Sequence, residues 1–115
     1  MRTAGQVALA RFPTVGLTPG KARPVLLLAT VPGPHGDWLV CMLSTQLHHA
    51  VEGFDEVIDP AHDDFATSGL RRASVIRVAR LAVVPADLLA GALGEIGAAR
   101  LQRIRERLAE WVQDA

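Results

Sequence analysis

Arginine carries nearly all of the positive charge of this chain, and it falls into two separate blocks. Eleven of the twelve basic residues are arginine, and Lys21 is the remaining one. Residues 1–36 and 65–80 contain basic but no acidic side chains, whereas residues 37–64 contain acidic but no basic ones. A planar guanidinium group can bind two phosphate oxygens at once, so these blocks favour a phosphate-containing partner. An arginine codon preference in a high-GC genome would give the same bias, so composition leaves both explanations open.

Two other groups of chemically active side chains have simpler interpretations. His62, Asp63 and Asp64 are adjacent and could ligate a metal ion, but a solvated acidic turn is the interpretation we favour. Cys41 has no neighbour in sequence that would activate a thiolate, so we expect a small buried strand residue. A single cysteine excludes an intramolecular disulfide and makes a structural zinc site improbable.

Length and composition predict one folded domain spanning residues 1–115. Half of the residues are apolar and 21% are charged, which argues against disorder. The longest predominantly apolar run, Val25–Val31, is far shorter than the ~20 residues that cross a bilayer. The N-terminus lacks the pattern of a signal peptide. We therefore expect a cytoplasmic protein without membrane contact.

Short apolar segments separated by turn residues predict a mainly β fold. Residues 13–22 and 31–36 are rich in proline and glycine and are predicted loops. Pro85 can start a short helical turn over Ala86–Leu89. The predicted strands are Gln6–Phe12, Arg23–Thr30, Trp38–Leu43, Phe54–Ile58, Ser74–Val84 and a short edge strand within residues 90–97.

The last segment has the spacing of an amphipathic helix. Its apolar positions are predicted to pack on the core, and its charged positions to lie on the other faces. With five or six strands before it, this helix completes a small, mainly β barrel with an α addition. The apolar set is Leu101, Ile104, Leu108, Trp111 and Val112, and the charged set is Arg100, Arg103, Glu106, Arg107 and Glu110.

Three motifs, in the same order along the chain, resemble those of MazF/PemK-type toxins of type II toxin–antitoxin systems. Each motif is weak alone, but together they extend over nearly the whole chain. The first comprises Gly5–Val7, Arg11–Pro13 and Lys21–Leu28, the second Cys41–Gln46, and the third Gly69-Leu70 with Ala73–Val78.

The resemblance implies both a fold and an activity. The fold would be the SH3-like barrel of the CcdB/Kid type. The activity would be that of a homodimeric endoribonuclease (mRNA interferase) that cleaves single-stranded RNA at selected sequences without metal or other cofactor. The ribose 2′-OH would attack the adjacent phosphorus, giving a 2′,3′-cyclic phosphate and a 5′-OH end. The partner would be a cognate antitoxin, expected to be acidic and partly disordered.

The resemblance also assigns residues to these roles. Arg23 would be the principal catalytic residue, with Ser44 binding the phosphate or positioning the 2′-OH. RNA binding would fall to Lys21, Thr45, Gln46 and Arg77. Without the resemblance, Arg23 and Arg77 are ordinary surface arginines and Ser44 is a strand-end serine.

Two departures from the family pattern affect the mechanism. Some family members carry Arg-x-Asp on the third-motif strand, where the aspartate is proposed as the base. Here Ala79 occupies that position, so the general base is unassigned. Aromatic side chains are few, so we expect recognition by arginine planes and base-edge hydrogen bonds rather than by stacking. The pair His48-His49 is predicted to be exposed, with RNA contact as the alternative.

Two other functions fit the same fold. One is a CcdB-like inhibitor that binds a protein target such as DNA gyrase and does no chemistry. The other, suggested by Ala79, is a catalytically weak or inactive RNA-binding relative.

Overall fold

The chain folds into one antiparallel sheet followed by a long helix. A computed structural model describes residues 2–11 and 22–115. Short 3₁₀ turns occupy Leu47–His49 and Ala86–Leu88. The regular elements are β1 (Gln6–Arg11), β2 (Ala22–Thr30), β3 (Trp38–Ser44), β4 (Glu56–Ile58), α1 (Phe65–Ser68), β5 (Ser74–Val84), β6 (Leu89–Glu95) and α2 (Ala98–Asp114).

The strand order is β4-β5-β3-β2-β1-β6, and every neighbouring pair is antiparallel. The predicted mainly β class, the strand number and the terminal helix are confirmed. β4 and β6 are the edges, and no ladder joins them within the described residues, so the barrel is an open one. No helix in the described ranges has the length and apolar character needed to cross a membrane.

Apolar side chains cover both faces of the sheet because strand positions alternate between them. One core cluster includes Leu26, Cys41 and Ile76 and packs against Ile104 of α2. The other includes Val25, Leu27 and Val40 and lies on the opposite face. Cys41 is fully buried as predicted, and its burial, with a smaller effect of Asp55, raises the pKa of the thiol to about 12.

Two glycines allow α1 to approach β6 closely. Gly69 ends α1 with a φ of 74°, and a Cβ at this position would lie 2.2 Å from the carbonyl oxygen of Leu93. A Cβ on Gly94 would lie 2.1 Å from the carbonyl oxygen of Thr67. Neither position accepts a side chain, so packing requires both glycines, and the left-handed backbone at the end of α1 also favours glycine at position 69.

Arg100 is buried, although the helical pattern predicted it on an outer face of α2. Its guanidinium group bonds Glu56 of β4 at 2.9 Å and both carboxylate oxygens of Asp64 at 2.8 and 3.1 Å. Arg103 and Arg107 also pair with Glu56. The predicted solvated acidic turn is confirmed for His62 and Asp63, which are exposed, but is wrong for Asp64, because this carboxylate pairs with a buried cation.

The apolar stripe of α2 is buried only in its first half. Ile104 is fully buried, and Leu101 and Leu108 pack against the same cluster. Trp111 and Val112 are 43% and 61% exposed, which contradicts the prediction that they belong to the core. The end of α2 lies less closely on the sheet than its beginning: Val112 borders an open apolar groove with Leu28, Leu39 and Leu81, and Trp111 contacts Phe54 edge-on.

The ion pairs of Arg100 should contribute strongly to the stability of the fold. Arg100→Ala removes the cation shared by the buried Glu56 and the partly buried Asp64, although Glu56 keeps Arg103 and Arg107, and should lower the free energy of unfolding by about 3 kcal/mol. The exposed loop variant Arg72→Ala should change it by less than about 0.5 kcal/mol. Urea denaturation of both variants checks this. Equal, small losses would show that the network does not hold α2 in place.

The same network predicts a loss of stability in acid. Burial favours a raised pKa for Glu56, but hydrogen bonds from Arg103 and Arg107 outweigh it and the net pKa is lowered. The Arg100 hydrogen bond lowers the pKa of Asp64 despite partial burial.

These lowered values set the sign and the range of the pH dependence. The stabilisation should be complete above the unfolded-state pKa values, about 4.3 for Glu and 3.9 for Asp, and should disappear as the pH falls through the lower folded-state values. The free energy of unfolding measured against pH should therefore fall less steeply in Glu56→Gln than in the wild type. An identical slope in both proteins would contradict this origin.

Candidate functional site

The strand register brings Arg23, Ser44 and Arg77 to one face and one end of the sheet. Val25 of β2 pairs with Met42 of β3 at the end of their ladder. Arg23 and Ser44 each lie two residues further toward that same end, on the same face as this pair. Across the next ladder, Met42 pairs with Arg77 and Ser44 pairs with Val75 of β5. Positions directly opposite each other, or two residues apart, share a face. Three residues that are distant in sequence thus lie on neighbouring strands.

Ser44 begins a tight turn that returns the chain to its own hydroxyl group. The backbone N–H of Gln46 donates to Ser44 Oγ at 3.0 Å. The 3₁₀ turn Leu47–His49 then brings His49 back, with its Nδ1 atom 3.2 Å from the same Oγ. Ser44 is half-buried, whereas Thr45 and Gln46 are exposed.

An irregularity in β5 brings a second arginine to this area. The β3–β5 ladder jumps from Met42↔Arg77 to Cys41↔Leu81, so residues 78–80 form a bulge. Asp55 holds the bulge: its Oδ1 accepts the N–H of Val78 at 3.0 Å and its Oδ2 accepts that of Val51 at 2.9 Å. Such bulges bend a strand and re-aim its side chains. Arg80 in the bulge is exposed and acts electrostatically on His49.

The site is electropositive, and this affects His49. Partial desolvation lowers the pKa of His49 below its ordinary value of 6.5, and the charges of Arg77, His48 and Arg80 lower it further. The imidazole is therefore mainly neutral at neutral pH. Within the described residues, Arg23, Arg77 and Arg80 form no ion pair with a carboxylate. Their charges remain available to an anion.

The predicted site residues are in part brought together by this fold. Arg23, Ser44 and Arg77 share one face, and Thr45 and Gln46 follow Ser44 in the turn. Lys21 lies outside the residues that the structure describes.

His49 is the residue that the sequence did not assign to this cluster, although RNA contact was weighed for the pair His48-His49. The only local signal was its position five residues after Ser44, which has meaning only once the 3₁₀ turn is known.

The arrangement suits one type of chemistry. Guanidinium groups and a hydroxyl can bind the oxygens of a phosphodiester, and a neutral imidazole can accept a proton from a group held beside it. Ala79 is exposed on the bulge and contributes no carboxylate. The residues that the structure describes contain no group of three or more histidine, cysteine or acidic side chains placed to hold a metal ion.

Comparison with known proteins agrees with the order of the motifs. A model of the PemK-like, MazF-like toxin of type II toxin-antitoxin systems matches residues 3–112. The fold is similar to that of the Mycobacterium tuberculosis toxin MazF-mt6, with 22% identity, 91% of this chain and 93% of that chain covered, and a TM-score of 0.64. Comparison with curated protein sequences gives no significant match.

A second solved structure has the same fold. It is an endoribonuclease in complex with its cognate antitoxin from a mycobacterial species. The identity is 19%, the alignment covers 98% of this chain and 96% of that chain, and the TM-score is 0.67.

The electrostatic arrangement can be tested by titration. Arg77→Ala removes a cation that disfavours the imidazolium, so the pKa of His49 should rise toward 6.5. NMR titration of the His49 ring protons measures this. Arg105→Ala removes an arginine that does not contribute to the shift and should leave the pKa unchanged. If the pKa of His49 does not respond to Arg77→Ala, the charge of Arg77 does not act on the imidazole.

Proposed function

Because the chain belongs to the PemK-like, MazF-like toxin family, we propose that it is the toxin of a type II toxin–antitoxin pair and an endoribonuclease. The observation that carries the activity is the placement of Arg23, Ser44 and Arg77 on one face of three adjacent strands. These are the residues that the family motifs nominate. Their common location supports a single phosphodiester-binding site.

The substrate is single-stranded RNA, which is cleaved by its own ribose. The 2′-oxygen attacks the adjacent phosphorus in line, and the 5′-oxygen leaves, giving a 2′,3′-cyclic phosphate and a 5′-OH end. Negative charge accumulates on the nonbridging oxygens in the transition state, where preorganised cations act most strongly. Arg23 binds these oxygens, Arg77 assists, and no metal ion is required.

Ser44 has one hydrogen-bonding direction left for the substrate. Its Oγ already accepts the N–H of Gln46 and faces His49 Nδ1. Its O–H can therefore donate to a phosphate oxygen while its position stays fixed by the turn. Thr45 and Gln46 are exposed beside it and read the neighbouring base edges, with Lys21 adding a phosphate contact.

The protein acts as a cytoplasmic homodimer that is neutralised by an antitoxin. One structure of similar fold is an endoribonuclease bound to its cognate antitoxin, which motivates this partner. The unpaired arginines of the site would attract an acidic segment, and a disordered segment that folds on binding can cover a large surface. Such an antitoxin would cover the face of the sheet on which RNA binds.

The ribonuclease activity can be tested on a long single-stranded RNA in excess EDTA. The wild type should cut at a recurring short motif and leave 5′-OH ends. Arg23→Ala should lower kcat by about 10²–10³-fold, as expected for the loss of one transition-state donor. Arg23→Lys should recover little, because a lysine lacks the guanidinium fork. Gel mapping of fragment ends and single-turnover rates give both results.

The matched control is Arg103→Lys, which keeps a cation on α2 outside the proposed site and should cleave as the wild type does. If the wild type leaves RNA intact but still arrests growth, and Arg23→Ala is equally toxic, the protein is a CcdB-like inhibitor of a protein target. Binding of RNA without cleavage would identify an inactive relative, with an affinity that falls steeply as salt rises.

A further inference from the structure

Cleavage by the 2′-OH needs a group that accepts its proton, and the third-motif strand does not supply one. Position 79 is alanine, and the titratable side chains of β5 near the site are Arg77 and Arg80. Arginine stays protonated at neutral pH and is a poor acceptor. If the proposed ribonuclease function is correct, the base must come from another element.

We infer that His49 is the general base of the cleavage reaction. Its Nδ1 atom lies 3.2 Å from Ser44 Oγ, the hydroxyl group assigned to the scissile phosphate. The 3₁₀ turn that carries it packs against β5, the strand of Arg77. The imidazole therefore lies beside the proposed phosphate site. Because Nδ1 faces Ser44, a 2′-OH must approach the ring at its other nitrogen, Nε2.

The hydrogen bond to Ser44 also fixes which nitrogen is free. When the Ser44 O–H donates to a phosphate oxygen, its remaining lone pair can accept the Nδ1–H of His49, since the other accepts Gln46 N–H. The neutral ring then carries its proton on Nδ1 and a lone pair on Nε2. Ser44 thus orients the base in addition to contacting the phosphate.

The proton and electron balance is complete with solvent water. Nε2 takes the proton of the 2′-OH as O2′ forms its bond to phosphorus. The P–O5′ bond breaks with its electron pair on O5′, and a water molecule protonates this oxygen. The imidazolium then returns its proton to solvent, and the RNA leaves as a cyclic phosphate and a 5′-OH fragment.

The charges around His49 favour its neutral form, which is the form that accepts a proton. Arg77 and Arg80 face the turn from β5, His48 adjoins it in the turn, and the contact from β3 is the uncharged Ser44. These cations and partial desolvation lower the pKa of His49, so the ring is neutral at cellular pH. A lower pKa also makes His49 a weaker base. The adjacent arginines offset this by stabilising the phosphorane.

The test is a pH–rate profile for single-turnover cleavage of an RNA containing the mapped site. The wild-type rate should rise with pH through a value below 6.5 and then level off. His49→Asn should lower the rate by roughly 10²–10⁴-fold and remove this acid limb. His48→Asn, the matched control in the same turn, should keep the limb, moved slightly upward because one neighbouring charge is gone.

Two further measurements separate base catalysis from a structural role. His49→Asn and His49→Gln should bind RNA carrying a 2′-O-methyl group at the cleaved nucleotide as tightly as the wild type does, with an unchanged Tm. Added imidazole should restore cleavage by His49→Ala. An acid limb that persists in His49→Asn while the wild type cleaves RNA would overturn the inference. If the wild type does not cleave RNA, the proposed function is overturned instead.

Discussion

The antiparallel register of β2, β3 and β5 is the constraint on which the candidate site depends. Side chains alternate between the two faces of a strand, so a slip of one residue would move Ser44 to the opposite face from Arg23. Apolar burial fixes the register, because consecutive residues of these strands are buried in separate core clusters on the two faces of the sheet. Val25 and Leu26, for example, are both fully buried on opposite faces. The site is therefore a consequence of how the strands are packed.

Charge is divided between stability and function. The arginines of α2 are used internally: Arg100 neutralises Glu56 and Asp64, and Arg105 donates to the carbonyl oxygen of Leu28 at 2.6 and 3.1 Å, where the β2–β3 ladder is irregular. The ion pairs of Arg100 neutralise two of the carboxylates of residues 37–64 within the fold. The arginines of β2 and β5 keep their charge free for an anion. A chain with zero net charge can thus present one strongly basic surface.

The elements that the sequence predicted well are those with strong local signals. β5 has the predicted bounds Ser74–Val84 because β-branched residues fill it and Pro85 ends it. α1 was not predicted, since four residues are too short for helical periodicity, and its position depends on contact with β6. The exposure of Trp111 was also missed. Spacing identifies the apolar face of a helix but not how much of its length finds a surface to cover.

The strand and helix pattern, the family and the catalytic hypothesis for Arg23 and Ser44 could be predicted from the order of the residues, because they depend on local periodicity and on ordered motifs. Which arginines are paired with carboxylates, and which distant residues come into contact, became evident from the folded structure alone. The sequence predicted both Arg100 and Arg77 as surface arginines. In the structure Arg100 is buried between two carboxylates, whereas Arg77 borders the candidate site. His49 joined Ser44 through a 3₁₀ turn closed by a serine hydroxyl. Such contacts arise from the geometry of the backbone in three dimensions, which residue spacing alone does not specify.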